Sequence, residues 1–215
     1  MKNIIIAGST GMVGKLVLQE CLRRKDVNKV TSITRRSTGI KNKKLIEVIH
    51  NDFLDYSGIE KYFRNQDVCF YCIGVYTGQV PADEFIKITV AYTKAFGEAL
   101  RRNNTSSTFC FLSGQGADSS ERSHILFARE KGIAENIILK LKFDNTYIFR
   151  PAYIYPDSPR QEPNLFYRIF RVIYKPLSLV LPNIGVSSTK LASKMVDVGL
   201  NGGDRTIYNN RQVKE

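Results

Sequence analysis

Ile4-Ile5-Ile6-Ala7-Gly8-Ser9-Thr10-Gly11-Met12-Val13-Gly14-Lys15 is the stretch on which the fold turns. An apolar run long enough for one buried strand is followed at once by three glycines spaced Gly8-x-x-Gly11-x-x-Gly14, and a helical pattern begins directly behind them. Glycines in that place allow a tight turn and a close approach of phosphate to backbone N–H groups, while the helix N-terminus favours negative charge. A glycine pattern alone is weak; its position after the first strand of a βαβ unit gives it force. The other reading is a turn that needs glycine only for its backbone. Gly8, Ser9, Thr10, Gly11, Met12, Val13 and Gly14 are read as the cradle of a dinucleotide pyrophosphate.

Outward from this loop, short β-rich runs alternate with longer helical patterns, the mark of parallel βαβ units. Strands are expected near residues 3–7, 29–34, 45–49, 67–73, 107–112 and 145–149, and helices near 12–24, 57–64, 82–102 and 121–141. In the third helix Phe85, Ile88, Tyr92, Phe96 and Ala99 recur at three- and four-residue steps, a stripe that reads first as a core face. Prolines at 151, 156, 159, 163, 176 and 182 then interrupt the pattern, leaving room for helices over about 164–174 and 188–200. The expectation is an α/β fold, a doubly wound parallel sheet of the NAD(P)-binding Rossmann kind. Residues 1–215 form one domain in this reading, with a core over 1–150 and a small substrate-covering cap over 151–215.

Cofactor choice is read one strand later. NAD-preferring sites place Asp or Glu at the end of the second strand for the ribose hydroxyls, but this chain has Thr34-Arg35-Arg36-Ser37 there. Guanidinium groups suit a 2′-phosphate, so Arg35 and Arg36 point to NADP(H) over NAD(H), with Ser9 and Thr10 as helpers; a solvated arginine pair is the alternative. In Asn51-Asp52-Phe53, Asp52 could receive the adenine amino group or cap the following turn. Ile73-Gly74, after the fourth strand, offers a further close approach of backbone to dinucleotide.

The bulk numbers set outer limits. The chain has 43% hydrophobic and 24% charged residues, ordinary for a soluble globular protein. It shows neither a signal-peptide core nor a run of the roughly 20 apolar residues that span a bilayer. Four cysteines are too few for a disulfide scaffold, and a cytoplasmic location is expected. Cys69 and Cys72 have C-x-x-C spacing, yet on a strand they face opposite sides, so core thiols are preferred to a metal or disulfide pair. His50 and His124 have no carboxylate or cysteine at ligand spacing, and no metal is expected. The net charge is +12, and residues 23–44 hold nine cations against the single acid Asp26. A solvated face, a phosphorylated cofactor, nucleic acid and membrane headgroups are the readings, with nucleic acid disfavoured. Leu165 to Lys175 mixes aromatics with spaced cations, as interfacial helices do, though a helix over the substrate suits it better than a peripheral membrane contact.

Gly8 to Gly14, Asn51-Asp52-Phe53, Leu112-Ser113-Gly114-Gln115-Gly116-Ala117, Lys131-Gly132-Ile133-Ala134-Glu135 and Phe149-Arg150-Pro151 together resemble the atypical short-chain dehydrogenase/reductases, in particular the NmrA-like and Tat-interacting-protein-like branch. The resemblance covers nearly the whole chain. It implies a strand order of 3-2-1-4-5-6 and places Lys131 and Pro151 beside the cofactor. It also implies a Tyr-x-x-x-Lys pair on the helix after strand five, the phenol protonating a carbonyl oxygen as hydride arrives. Here that position reads Phe127-Ala128-Arg129-Glu130-Lys131, and phenylalanine has no proton to give. Ser113 and Lys131 remain as catalytic candidates; Ser113 could hydrogen-bond a substrate carbonyl or cap a turn. Two functions stay open: an oxidoreductase on a small carbonyl, enone or quinone, and a non-catalytic NADP(H) sensor that contacts a protein partner.

Overall fold

The structure is a computed structural model that describes residues 1–76, 78–157 and 183–215. β1 (Lys2–Ala7) runs into α1 (Met12–Arg23), β2 (Val27–Thr34) and β3 (Leu45–Ile49). A 3-10 turn over Ser57–Tyr62 precedes β4 (Val68–Tyr71), α2 (Ala82–Ile86), a π-helical segment (Lys87–Ala91), α3 (Tyr92–Asn103) and β5 (Thr108–Leu112). α4 (Leu126–Lys140), β6 (Asn145–Arg150) and β7 (Tyr153–Tyr155) follow, and the described C-terminal part holds β8 (Gly185–Ser187), α5 (Ser188–Asn201), β9 (Ile207–Asn209) and α6 (Asn210–Lys214).

The main sheet is parallel throughout, in the order β3-β2-β1-β4-β5-β6-β9. Helices cover both of its faces, which is why the inner strands carry continuous apolar stretches, Ile4 to Ala7 in β1, Val68 to Tyr71 in β4, Phe109 to Leu112 in β5 and Tyr147 to Phe149 in β6. Within β1, Ile4 and Ile6 enter the core on the face covered by α1 and α5, with Val17, Leu18, Phe70, Leu191 and Met195. Ile5 and Ala7 enter the opposite core with Phe96, Phe109, Phe111 and Ile138 of β5, α3 and α4. Cys69 and Cys72 fall in these two separate cores, as a strand's alternation dictates, and all four cysteines are free thiols. The order reverses at β1, which lies between β2 and β4. Open α/β sheets bind ligands at such a switch point, outside the carboxyl ends of the strands.

Several elements differ from the expectation. β4 stops at Tyr71, so Cys72, Ile73 and Gly74 form the loop beyond it. The fourth helix starts at Leu126, because Asp118 first organises a turn by accepting the N–H groups of Ser120, Arg122 and Ser123. Part of the expected cap belongs to the main layers: α5 packs along α1, and β9 extends the sheet beside β6. The expected helix over 164–174, and with it Leu165 to Lys175, lies outside the described residues. No helix among the described residues is long and apolar enough to cross a membrane.

Candidate functional site

At the switch point, a cavity of about 220 Å³ is lined by Gly8, Thr10, Gly11, Ile33, Thr34, Arg35, Arg36, Phe53, Cys72, Ile73, Gly74, Val75, Ile88 and Tyr92. Its floor is the turn from β1 to α1. Gly8 has φ +84°, and a Cβ there would lie 2.7 Å from the Cys72 carbonyl. A Cβ at Gly14 would lie 2.2 Å from the Gly8 carbonyl oxygen, so the first helical turn is pressed onto the loop. The Gly11 N–H donates to that oxygen at 3.0 Å. No side chain caps the N-terminus of α1, which leaves its first N–H groups for another acceptor.

The predicted cradle residues divide by role. Gly8, Thr10 and Gly11 line the cavity, whereas Met12, Val13 and Gly14 support it from α1. Ser9, read as a helper for the extra phosphate, is fully buried, its hydroxyl 2.6 Å from that of Ser32; the side chain is spent tying the loop to β2. Arg35 and Arg36 are exposed on the cavity rim and form no ion pair among the described residues. Phe53 lines the wall beside Tyr92, their ring centroids 5.6 Å apart. Asp52 takes the turn-capping role, accepting the Leu54 N–H at 2.9 Å, and is not among the lining residues. Pro151 is buried, and its carbonyl accepts the Gln115 N–H at 2.8 Å.

Lys131 sits on α4 behind Gly74, its Nζ 3.8 Å from where a Gly74 Cβ would stand. Its side chain is only 6% exposed, and it has no hydrogen bond or ion pair among the described residues; its one ring contact is the Phe111 face, 5.4 Å away. Burial pushes its ammonium down from 10.5 to about 8, although the Glu135 carboxylate one turn along resists this. A buried, unpartnered cation beside an open cavity is costly unless a ligand answers it.

Ser113 makes a contact that neither sequence reading named. Its hydroxyl donates to Oε1 of Glu135, which is almost fully buried and is held in turn by Arg150, with Nε 3.0 Å from the same oxygen. Arg150 also reaches the Ser119 hydroxyl at 2.7 Å. This Ser113–Glu135–Arg150 network locks the ends of β5 and β6 to α4, and sequence reasoning missed it. The signal lay in the charged Arg150 at the end of an apolar strand, whereas the i,i+4 spacing of Lys131 and Glu135 points to an ion pair not found among the described residues. In this arrangement the Ser113 hydroxyl is engaged with Glu135.

Phe127 points its ring tip at Gly114. A Cβ there would lie 2.6 Å from Phe127 Cζ and 3.5 and 3.6 Å from the two Cε atoms, which puts it on the long axis of the ring. A tyrosine hydroxyl would project along that same axis. Phe127→Tyr is thus expected to lower stability by about 1–2 kcal/mol through overpacking, without restoring a free acid. Urea denaturation measures this, and a variant as stable as its parent would show that the ring tip has room.

Comparison with known proteins adds to this geometry. Residues 4–124 match the family described as NAD dependent epimerase/dehydratase. Protein HTATIP2 of Rattus norvegicus is 31% identical over 165 residues, covering 75% of this chain and 66% of that protein. Protein FMP52, mitochondrial, of Candida albicans is 30% identical over 155 residues, covering 70% and 66%. The chain thus spans just under two thirds of the length of these two relatives. The Bordetella bronchiseptica enzyme WbmH, solved in complex with NAD+, superposes with a TM-score of 0.71 over 97% of this chain and 75% of that one, at 15% identity. A short chain dehydrogenase family protein from Francisella tularensis superposes with a TM-score of 0.67 over 100% of both chains, at 12% identity; these two likenesses speak for the fold. The expected cytoplasmic location is corrected by the FMP52 relatives, which are named as mitochondrial proteins. Strand order, glycine turn and sequence match agree, and the chain belongs to the NAD dependent epimerase/dehydratase family, on the NAD(P)-binding Rossmann branch that also holds the HTATIP2 and FMP52 proteins.

Proposed function

We propose that the chain binds NADP(H) at the β1–β4 switch point and serves as an oxidoreductase toward a small enone, quinone or carbonyl acceptor that needs no tyrosine acid. The observation that carries this reading is one cavity lined both by the glycine turn and by two guanidinium groups that form no ion pair among the described residues. When bound, the nicotinamide supplies or accepts hydride. The chain's own residues bind and orient. Gly8 and Gly11 would admit the pyrophosphate to the uncapped start of α1, and Arg35 and Arg36 would hold the 2′-phosphate. Phe53 and Tyr92 would supply an aromatic wall, and Lys131 behind Gly74 would offer its buried ammonium to the ribose hydroxyls. Both the glycine cradle, which a Cβ would fill, and this cation, which has no hydrogen bond or ion pair among the described residues, fit the dinucleotide.

The contact of Phe127 with Gly114 favours a second reading: an NADP(H) sensor that contacts a protein partner without turnover. NADPH oxidation followed at 340 nm with a panel of quinones, enones and aldehydes separates the two. Steady turnover with any acceptor supports the oxidoreductase. Saturable NADPH binding with no turnover across the panel supports the sensor.

A further inference from the structure

β2 ends at Thr34, and the chain then turns away carrying Arg35 and Arg36 on its rim. Two long, exposed side chains recognise a phosphate selectively only when the backbone beneath them is held still. Glu47 on β3 holds it. Its Oε2 accepts the Ser37 hydroxyl at 2.7 Å and its Oε1 accepts the Thr38 N–H at 2.7 Å. The Ser37 oxygen in turn accepts the Gly39 N–H at 3.1 Å. From the other side, the Thr34 hydroxyl donates to the Arg36 carbonyl at 2.9 Å.

An acidic residue in this neighbourhood would ordinarily be suspected of binding the ribose hydroxyls. Glu47 is not placed for that: both of its oxygens are spent on the loop, and it is not among the residues lining the cavity. Partial burial pushes its carboxyl up, but the hydrogen bonds from Thr38 and Ser37 outweigh this and hold it below the usual carboxylate range. It is a charged acceptor at neutral pH, and charge-assisted hydrogen bonds are the strong kind. Glu47 also pairs in register with Ser32, whose hydroxyl meets that of Ser9 in the glycine turn. The pyrophosphate turn and the arginine loop are thereby tied to adjacent strands at the same level of the sheet.

We infer that Glu47 is a positioning residue that sets nucleotide preference, by fixing the Ser37–Thr38 backbone from which Arg35 and Arg36 reach the 2′-phosphate. The inference rests on the NADP(H) reading proposed above. A through-space effect of the Glu47 charge has the opposite sign, since a carboxylate repels phosphate, and this makes the two explanations separable.

The test is calorimetric titration of the parent protein, Glu47→Ala, Glu47→Gln and Ser37→Ala with NADPH and with NADH at one ionic strength. Glu47→Ala is expected to weaken NADPH binding about 10-fold while changing NADH less than about 2-fold, the loss of roughly two hydrogen bonds felt by one nucleotide only. Ser37→Ala, which leaves the Thr38 bond in place, is expected to lower the NADPH:NADH preference about 3-fold, and it carries the test if Glu47→Ala fails to fold. Glu47→Gln keeps one acceptor and should fall between them. An unchanged preference in the folded variants, or a preference for NADPH that rises as the negative charge is removed, overturns the role of Glu47 while the NADP(H) reading stands. A parent protein that binds neither nucleotide, or prefers NADH, overturns both. A merely structural role would weaken the two nucleotides equally, and that result too counts against the inference.

Discussion

Gly14→Val is expected to remove measurable binding of either nicotinamide dinucleotide and to lower stability by about 3 kcal/mol or more. The first added carbon would lie 2.2 Å from the Gly8 carbonyl oxygen, 2.8 Å from the Gly8 carbonyl carbon and 3.2 Å from the Cys72 Cβ. Two of these neighbours are backbone, and Gly8 itself lies close under the next loop, where a Cβ built on it would stand 2.7 Å from the Cys72 carbonyl. Relief must come from lifting α1 off the turn, which spoils the cradle. Gly58→Ala is the control: nothing lies within 4 Å of an added Cβ there, so its stability should stay within about 0.5 kcal/mol of the parent. Chemical denaturation and calorimetry on the same samples check both halves. A Gly14 variant with unchanged midpoint and affinity would show that the turn is not packed as described.

Lys131→Met is expected to act in opposite directions on stability and on binding. The folded ammonium is pushed down to about 8 from 10.5, so below pH 8 the protein bears the full cost of a buried charge. As pH rises from about 8 toward 10.5 the folded chain releases this proton before the unfolded chain does, and the cost is relieved. Methionine fills similar space without charge. At pH 7 the variant should therefore be more stable than the parent by about 2 kcal/mol, with the advantage shrinking above pH 8. Its affinity for NADPH should fall about 10-fold, since a charged hydrogen bond is lost. Denaturation curves at pH 7 and pH 10 decide the first part. A variant less stable than the parent at pH 7 would mean that Lys131 has a partner within the folded protein. This opposition is the usual mark of a binding group held in a strained setting.

The main sheet was legible because its physics is local. β1, β4, β5 and β6 are covered on both faces and read as unbroken apolar runs, and the turn at Gly8 to Gly14 declares itself through spacing and position. β7, β8 and β9 are three residues each, and pairing with a neighbouring strand rather than composition makes them strands. The π-helical segment at Lys87–Ala91 is not announced by any periodicity, and Ile88 and Tyr92, which read as core, line the cavity wall. At the site itself, Gly8, Thr10, Gly11, Arg35, Arg36, Phe53, Ile73 and Gly74 were foreseen and share one cavity. Ser9 and Ser113 were assigned outward roles because a serine in a loop reads as available. Their partners, Ser32 and Glu135, are 23 and 22 residues away and become neighbours only in the fold. Arg150 lies 15 residues beyond Glu135, and its buried partner is not visible in one dimension.

In the proposed reading, one cavity joins a pyrophosphate turn to a cationic rim that would take an extra phosphate. Titration calorimetry of the parent protein with NADPH and NADH at 50 mM and 200 mM salt tests it most directly. Saturable binding of both is predicted, NADPH the tighter by about 10-fold at low salt and by less at high salt, as exposed guanidinium–phosphate contacts are screened. Absence of binding heat with either nucleotide, on protein shown to be folded, would contradict the account.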